Sequence, residues 1–419
     1  MKPLPINKQI SPLMKFTFLL IATVASLSVA PSANSESNDS PETVTIAVDS
    51  PAFVFSPGNW TGDEGRKGSA YRQTWNSGAY FRVHWTSTAA EPSATLILDT
   101  STHDGTFGPP VLTYNVDGHW TEAVRVANEI KIENIKGPGD HILTVYFTTS
   151  EQRDRWGSAG VSGKNVLRVT ALKVGADAKP GTAIAGSKWM LQIGDSITEG
   201  NGAGEGRSDN LSAYSHFVGQ AMQTQDFEYG VSACGWSGWL RRGDNPPGDV
   251  PAYFMITGST NGLGGAYDDA DSRWNKIDAN NSLLDKNGRL SAYGETGQEP
   301  SVITINYGTN DDFAKSDPSD TQASITQCLA ALRKAAPDAH IFLMIPFEQF
   351  SVAHLNAGLL AHKAAHPQDT KTSMIDLGKT VGRTLDDNKY WGGVHPNMRG
   401  HAVFAAQIVA KIQAELAKP

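Results

Sequence analysis

Cysteine is scarce in this chain of 419 residues, which contains only Cys234 and Cys328. Two cysteines exclude a disulfide framework and a four-cysteine zinc site, so they form at most one bridge or remain as two free thiols. A basic excess is also absent, because 35 Lys and Arg stand against 43 Asp and Glu, a net charge of −8. Nucleic acid is therefore an unfavourable partner.

Long apolar runs are equally scarce. The chain has one at residues 16–30, behind a positive segment that contains Lys2, Lys8 and Lys15. This run is shorter than the roughly 20 residues of a membrane-spanning helix, and small and polar residues follow it. We therefore expect residues 1–33 to be a signal peptide with a short leader, and the protein to be secreted or periplasmic. An uncleaved membrane anchor is the alternative.

Alternating apolar and polar residues dominate positions 43–174. Short runs of β-branched and aromatic residues, such as 80–85 and 141–147, are separated by turn-forming residues, and no helical periodicity interrupts them. This pattern predicts an all-β sandwich or jelly-roll domain. Residues 175–187 are rich in Gly, Ala, Pro and Thr and predict a linker.

Residues 188–419 follow a different pattern, in which compact apolar strands alternate with amphipathic helices. Strands are predicted at 189–193, 227–231, 302–307, 340–345 and 373–376, and helices at 213–223, 320–335, 353–366 and 399–416. Strands buried on both faces and joined by helices predict a parallel sheet in an α/β domain. Residues 236–300 exceed the usual connection length and are either a functional insertion or a disordered loop.

Four side chains fall where ligands gather on a parallel sheet, at strand ends and before the last helix. Ser196, Gly235 and Asn310 follow the first three strands, and His395 precedes the final helix. A hydroxyl, an imidazole, a backbone N–H and an amide supply the nucleophile, base and oxyanion donors of acyl transfer. Each residue alone also fits an ordinary turn or helix cap, but together they predict a catalytic site.

Three motifs resemble those of the SGNH, or GDSL-type, hydrolase superfamily. They are Gly194-Asp195-Ser196, Gly308-Thr309-Asn310-Asp311 and Val394-His395-Pro396. The resemblance covers residues 188–419 and implies a flavodoxin-like, three-layer α/β fold. It also implies that Ser196 is the nucleophile and His395 the base. The oxyanion hole would then consist of the N–H groups of Ser196 and Gly235 and the Asn310 amide, with no metal or organic cofactor.

The sequence departs from the superfamily pattern at one position. The usual aspartate three residues before the histidine is replaced by Gly392. Asp386 or Asp387 could return to orient the imidazole of His395, or the backbone carbonyl of Trp391 could accept its N–H. The site is therefore a Ser-His dyad or a triad completed from elsewhere.

Secreted superfamily members with an N-terminal β-sandwich resemble carbohydrate esterases of the acetylxylan type. The resemblance implies a serine esterase that removes acetyl groups from polysaccharide or oligosaccharide esters, with no membrane partner after signal cleavage. Trp236, Trp239 and Trp391 offer flat faces for sugar rings, with core packing as the alternative. The acidic run at 267–271 lacks the EF-hand pattern and predicts a solvated turn.

Two other functions fit the same residues. A lipase or lysophospholipase would share the catalytic groups but would need an apolar acyl groove. A non-catalytic glycan-binding relative would rely on the sandwich domain. A preference for acetyl over longer acyl esters distinguishes the first alternative from the acetyl esterase, and loss of turnover in Ser196→Ala distinguishes the second.

Overall fold

The computed structural model describes residues 43–62, 70–104, 110–150, 152–244, 250–256, 272–292, 297–379, 390 and 393–418. The predicted signal peptide and leader, and the acidic run at 267–271, lie outside these residues. Within the described ranges, no helix combines the length and apolar character needed to cross a membrane.

Short antiparallel strands make up the first part of the described chain. They are β1 (Thr43–Ala47), β2 (Phe53–Phe55), β3 (Thr61–Gly62), β4 (Arg72–Thr74), β5 (Tyr80–Ser87), β6 (Ala94–Leu98), β7 (Val111–Val116), β8 (His119–Trp120), β9 (Val124–Arg125), β10 (Glu129–Lys131), β11 (Gly139–Thr149), β12 (Leu167–Gly175) and β13 (Lys179–Pro180). In β5 and β6 nearly every second side chain is buried, which gives each sheet one core-facing side.

These strands form two sheets around one core. The first sheet has the order β10-β6-β12-β4-β3, and β1 also pairs with β12. The second sheet has the order β13-β5-β11-β7-β8; in addition, β2 pairs with β5 and β9 pairs with β7. Phe81, Trp85, Leu96, Val145 and Leu172 lie in the shared core. The region is therefore a β-sandwich. Part of the predicted linker joins it, because β13 pairs with β5.

The rest of the chain forms an α/β domain. Its strands are β14 (Lys188–Gly194), β15 (Phe227–Ala233), β16 (Lys276–Asp278), β17 (Asn281–Ser282), β18 (Val302–Asn306), β19 (His340–Met344) and β20 (Thr372–Ile375). Its helices are α1 (Ser196–Glu199), α2 (Tyr214–Gln223), α3 (Thr309–Phe313), α4 (Pro318–Ala335), α5 (Val352–Ala365) and α6 (Met398–Leu416), with a 3₁₀ helix at Asn210–Ser212.

Five of these strands form a parallel sheet in the order β15-β14-β18-β19-β20. This is the 2-1-3-4-5 order of flavodoxin-like sheets. Neighbouring residues of β14 face opposite sides: Met190 packs in the core that contains residues of α2 and α6, and Leu191 in the core that contains residues of α4 and α5. The domain thus has three layers, with the carboxyl ends of its strands along one edge.

The described parts of the 236–300 insertion are folded. Trp239, Leu240, Tyr253 and Ile277 are buried in the same core as Leu191. These residues extend the hydrophobic core beyond the sheet, so the reading of the insertion as a disordered loop is wrong for this part of it.

The sandwich covers the β15 edge of the parallel sheet. The Asn59 side chain forms the pair of hydrogen bonds that a neighbouring strand would form. Its Nδ2 donates to the Val231 carbonyl at 2.7 Å, and its Oδ1 accepts from the Val231 N–H at 3.1 Å. A Cβ atom at Gly230 would lie 2.1 Å from the Pro57 carbonyl oxygen. The close approach therefore requires glycine, and the edge of the sheet is protected from further pairing.

Candidate active site

Ser196 is the first residue of α1 and lies just beyond the end of β14. The turn before it is tight: a Cβ atom at Gly194 would lie 1.9 Å from Thr198 Oγ1, so glycine is required there. The Asp195 carboxylate caps α1 by accepting the Ile197 N–H at 2.9 Å. Burial raises the pKa of Asp195 to about 7. The local sequence thus places the Ser196 hydroxyl at the carboxyl edge of the sheet.

His395 reaches the same edge from the segment before α6. Its Nε2 lies 2.9 Å from Ser196 Oγ, across 199 positions of sequence. Gly202 lies close to the base of this side chain, since a Cβ atom there would lie 3.3 Å from His395 Cβ. Burial lowers the pKa of His395, which keeps the imidazole neutral and able to accept a proton at mildly acidic pH.

Among the described residues, the His395 side chain forms a hydrogen bond only with Ser196. The three sequence candidates for orienting the imidazole, Asp386, Asp387 and Trp391, lie outside the described residues, as does Gly392. The choice between a dyad and a triad therefore stays a prediction.

Asn310 lies in the first turn of α3, beyond the end of β18. Its Nδ2 donates one hydrogen to the Ser237 carbonyl at 2.9 Å, which fixes the amide plane and leaves the second N–H for another acceptor. Gly308 caps α3 with φ = 132°, a conformation that favours glycine. The Ser196 N–H has no acceptor among the described residues, as expected of an oxyanion donor.

The next residue of α3 holds the loop at 234–244 in place. The Asp311 carboxylate accepts the N–H groups of Trp239 and Leu240, each at 3.0 Å. Burial raises the pKa of Asp311, against the opposing effect of these two hydrogen bonds. Asn310 and Asp311 together therefore fasten the loop to α3 at three points.

The prediction for Gly235 is wrong in this structure. Its N–H donates to Glu199 Oε2 at 2.8 Å instead of facing an open oxyanion position. A Cβ atom at this position would lie 2.3 Å from the side-chain nitrogen of Gln152, which would have to move. Residue type and strand-end placement could not show that a carboxylate occupies this N–H.

A buried ionic cluster, which no sequence pattern indicated, links the sandwich side of the chain to this loop. Arg155 Nη1 lies 2.6 Å from Glu199 Oε1, and its Nε and Nη2 lie 3.0 and 2.7 Å from the two Asp244 carboxylate oxygens. Gln152 Nε2 donates to Glu199 Oε2 at 2.6 Å. Burial by itself lowers the pKa of Arg155, but the carboxylates of Asp244 and Glu199 outweigh it and hold that pKa above its ordinary value.

The predicted sugar-binding tryptophans divide into separate environments. Trp236 is 54% exposed on the 234–244 loop. Trp239 is fully buried with its ring against Tyr253 and Tyr307. It has no face for a sugar ring, so the substrate-binding prediction for Trp239 is wrong and core packing applies. Trp391 lies outside the described residues.

The two cysteines are free and buried. Cys234 Sγ donates to Asp244 Oδ1 at 3.1 Å, while Cys328 lies on α4 in the core on one face of the sheet. Burial raises the pKa of both thiols. The possible bridge is therefore not formed, and the alternative of two buried free thiols is confirmed.

These groups can perform acyl transfer. The Ser196 hydroxyl lies within hydrogen-bonding distance of the His395 imidazole. The Ser196 N–H and the second N–H of the Asn310 amide, which follows the neighbouring strand β18, are of the donor types that stabilise an oxyanion. Their convergence depends on the parallel sheet, since all of them extend from its carboxyl edge.

Residues 278–403 match the model of the GDSL-like Lipase/Acylhydrolase family. The matched stretch contains Asn310 and His395 and begins after Ser196. No curated protein matches the chain in sequence.

Solved structures match over most of the chain. An acetyl xylan esterase from the rumen bacterium Butyrivibrio proteoclasticus is 16% identical, with a TM-score of 0.62 over 89% of this chain and 98% of that one. A family two carbohydrate esterase from Clostridium thermocellum, in complex with cellohexaose, is 16% identical, with a TM-score of 0.58 over 87% and 99%. A salicylyl-acyltransferase from a tetracycline biosynthetic pathway is 13% identical, with a TM-score of 0.56 over 90% and 98%.

The chain therefore resembles the GDSL-type hydrolases in sequence and the family two carbohydrate esterases in fold. At these identities the structural likeness concerns the fold. The family match and the fold together support a carboxylic ester hydrolase.

Proposed function

We propose that this protein is a serine esterase that removes acetyl groups from polysaccharide or oligosaccharide esters. The observation that carries the proposal is the 2.9 Å contact between Ser196 Oγ and His395 Nε2, with the Asn310 amide on the same edge of the sheet. In the proposal, Ser196 is the nucleophile, His395 is its base and Asn310 is an oxyanion donor, and this geometry supports those roles.

The proposed reaction has two steps. His395 accepts the proton of Ser196 as its oxygen attacks the ester carbonyl, and the Ser196 N–H and the Asn310 amide stabilise the oxyanion. The tetrahedral intermediate collapses, His395 returns the proton to the leaving sugar oxygen, and an acetyl-serine remains. A water molecule, deprotonated by His395, then releases acetate and restores Ser196.

The substrate class rests on two observations. The fold is shared with a structure described as an acetyl xylan esterase and with an esterase in complex with cellohexaose. Trp236 exposes an aromatic face on the loop next to Asn310, and such faces suit sugar rings. Export to the periplasm or the exterior is also part of the proposal, supported by the positive segment and the apolar run at 16–30.

Release of acetate from acetylated xylan and from a short-chain aryl acetate tests the proposal. Ser196→Ala and His395→Ala should each lower turnover of both substrates by about a thousandfold or more, because the nucleophile and base act as a unit. Ser282→Ala and His366→Ala make the same changes away from the site and should leave turnover unchanged.

Two results would contradict the proposal. Full activity in Ser196→Ala would remove the acyl-enzyme mechanism. Cleavage of long-chain acyl esters with no release of acetate from either acetate substrate would favour a lipase instead.

A further inference from the structure

A groove of about 670 Å³ lies between the β-sandwich and the α/β domain. Its volume falls within the range of small-molecule binding sites. Thr113, Trp120 and Thr149 line it from the sandwich, and Arg207 and Met398 line it from the α/β domain. Ser196 and His395 do not line it, so the groove extends beyond the site described above.

Trp120 gives the groove an aromatic wall. This residue ends β8 and is 52% exposed. One face of its ring stacks on Tyr146, with 5.5 Å between ring centroids and an interplanar angle of 22°. Tyr146 is itself buried against Tyr80 and His216. Packing on Tyr146 therefore restricts the orientation of the indole, while about half of the residue remains accessible to solvent.

The other groups that line the groove suit a neutral, hydroxyl-rich ligand. Six of them carry side-chain hydroxyls, namely Thr113, Thr121, Thr148, Thr149, Ser208 and Ser212. The hydroxyls of Thr121, Thr148 and Ser212 already donate to protein oxygens and are left to accept hydrogen bonds from a ligand. Hydroxyls both donate and accept hydrogen bonds, as sugar hydroxyls do. Glu205 and Arg207 contribute opposite charges, and the Asp209 carboxylate is already engaged by the Leu211 N–H and the Ser212 hydroxyl. No strong field of one sign therefore selects an ionic ligand.

The groove begins beside the catalytic histidine. Gly202 packs against His395, and the next residue, Ala203, lines the groove. Met398 also lines it, three residues after His395 and at the first position of α6. A substrate chain whose ester lies at Ser196 can therefore extend past the histidine towards Trp120.

We propose that this groove is a distal carbohydrate subsite in which Trp120 stacks on a sugar ring of the bound chain. The proposal rests on the proposed function for the class of substrate. It gives the sandwich domain a direct role in holding glycans, through a residue that the sequence patterns did not single out. The small aryl acetate cannot reach the subsite, whereas an acetylated oligosaccharide can.

Kinetics on the two kinds of substrate test the proposal. Trp120→Ala should raise KM for acetylated xylo-oligosaccharides about three- to tenfold, the range that an aromatic stacking contact provides. Its kcat/KM for the aryl acetate should stay within about twofold of wild type, which also shows that the variant folds. Trp120→Phe keeps a flat face and should recover most of the affinity. Ile142 is a sandwich residue that is exposed to a similar degree and lies outside the groove. Ile142→Ala should therefore leave the kinetic constants for both substrates unchanged.

A binding measurement separates this proposal from the proposed esterase activity. Calorimetric titration of the Ser196→Ala protein with xylohexaose and with cellohexaose should give an affinity that falls when Trp120→Ala is added. Such a fall supports the subsite even if the wild type released no acetate from glycans. The subsite is overturned if neither sugar binds, if affinity and KM are unchanged in Trp120→Ala, or if the aryl acetate loses activity to the same extent as the oligosaccharide.

Discussion

At the residue scale, Asn310 shows how one side chain can be both positioned and available. One of its N–H groups is bound to the Ser237 carbonyl at 2.9 Å, so the amide cannot rotate freely. In the proposed mechanism, the other N–H donates to the oxyanion of the substrate. A preorganised donor of this kind stabilises the transition state more than a mobile donor does, because the donor does not have to reorient when charge develops on the oxygen.

Replacing this amide with a carboxylate tests its role. Asn310→Asp should lower kcat by about a hundred- to a thousandfold, because an ionised carboxylate cannot donate a hydrogen bond and repels an oxyanion. Steady-state kinetics on the aryl acetate would measure the loss. Asn356→Asp makes the same change on the exposed surface of α5 and should be without effect; equal activity in both variants would remove Asn310 from the oxyanion hole.

Glycines at the site differ in how strictly the structure requires them. Gly194 is required by contact with Thr198, within the turn that carries Ser196. At Gly235 a Cβ atom would meet only the end of the flexible Gln152 side chain, and the N–H of this residue is bound to Glu199. Gly235 could be identified from the sequence as a glycine at a strand end, but the acceptor of its N–H could not.

At the scale of elements, Arg155 joins parts of the site that are distant in the sequence. Glu199 ends the helix that Ser196 begins, and Asp244 ends the 234–244 loop. Both carboxylates are almost fully buried and both contact the Arg155 guanidinium. Because Glu199 also binds the Gly235 N–H, the arginine fixes the helix and the loop relative to each other.

Removing the arginine should therefore affect stability and catalysis together. Arg155→Met leaves two buried carboxylates without a cation and should lower the free energy of unfolding by about 3 to 5 kcal/mol. Urea denaturation would measure the loss, and kcat of the folded fraction should fall as well. Adding Glu199→Gln should restore part of both, because it removes one unpaired charge.

Arg168 provides the matched control. It is a buried sandwich arginine that pairs with Asp99 at 2.7 Å and with Gln73. Arg168→Met should lower stability but leave kcat unchanged. If Arg155→Met behaved in the same way, the cluster would stabilise the fold without positioning the catalytic elements.

At the scale of the whole molecule, the sandwich and the α/β domain share a polar and aromatic interface. Glu228 of β15 accepts hydrogen bonds from Tyr80 and Arg82 of the sandwich. His216 of α2 is buried at the same interface, with Nδ1 3.1 Å from the Tyr229 hydroxyl and its ring edge-on to Tyr146. Burial lowers the pKa of His216 from 6.5 to about 4.

This shift predicts sensitivity to acid. Between pH 6.5 and about 4 the unfolded chain binds a proton at His216 that the folded protein does not, so stability falls as the pH falls. From pH 7 to pH 5 the loss from this group should be about 2 kcal/mol. Subtracting the unfolding free energies of His216→Gln from those of wild type at each pH separates the contribution of His216 from that of other titrating groups, such as Asp195. A difference that did not vary with pH would show that the His216 pKa is not lowered.

The sequence by itself determined the main strands and helices of the α/β domain and singled out Ser196 and His395, whose side chains lie 2.9 Å apart in the structure. The predicted strands 227–231 and 340–345 and the predicted helix 213–223 agree with β15, β19 and α2 within two residues at each end. The secondary-structure assignments depend on local periodicity. The site residues could be predicted because residues that follow parallel strands in the sequence lie along one edge of the sheet.

Only the tertiary structure decided the roles that depend on contacts between distant segments. Burial of Trp239, the engagement of the Gly235 N–H by Glu199 and the Arg155 cluster all join residues from separate parts of the chain. The same holds for Trp120 of the sandwich, which stacks on Tyr146. Trp120 also lines one groove together with Ala203 and Met398 of the α/β domain. Local periodicity specifies which face of an element is apolar, but not which distant group packs against it; that pairing is set by the packing of the complete chain.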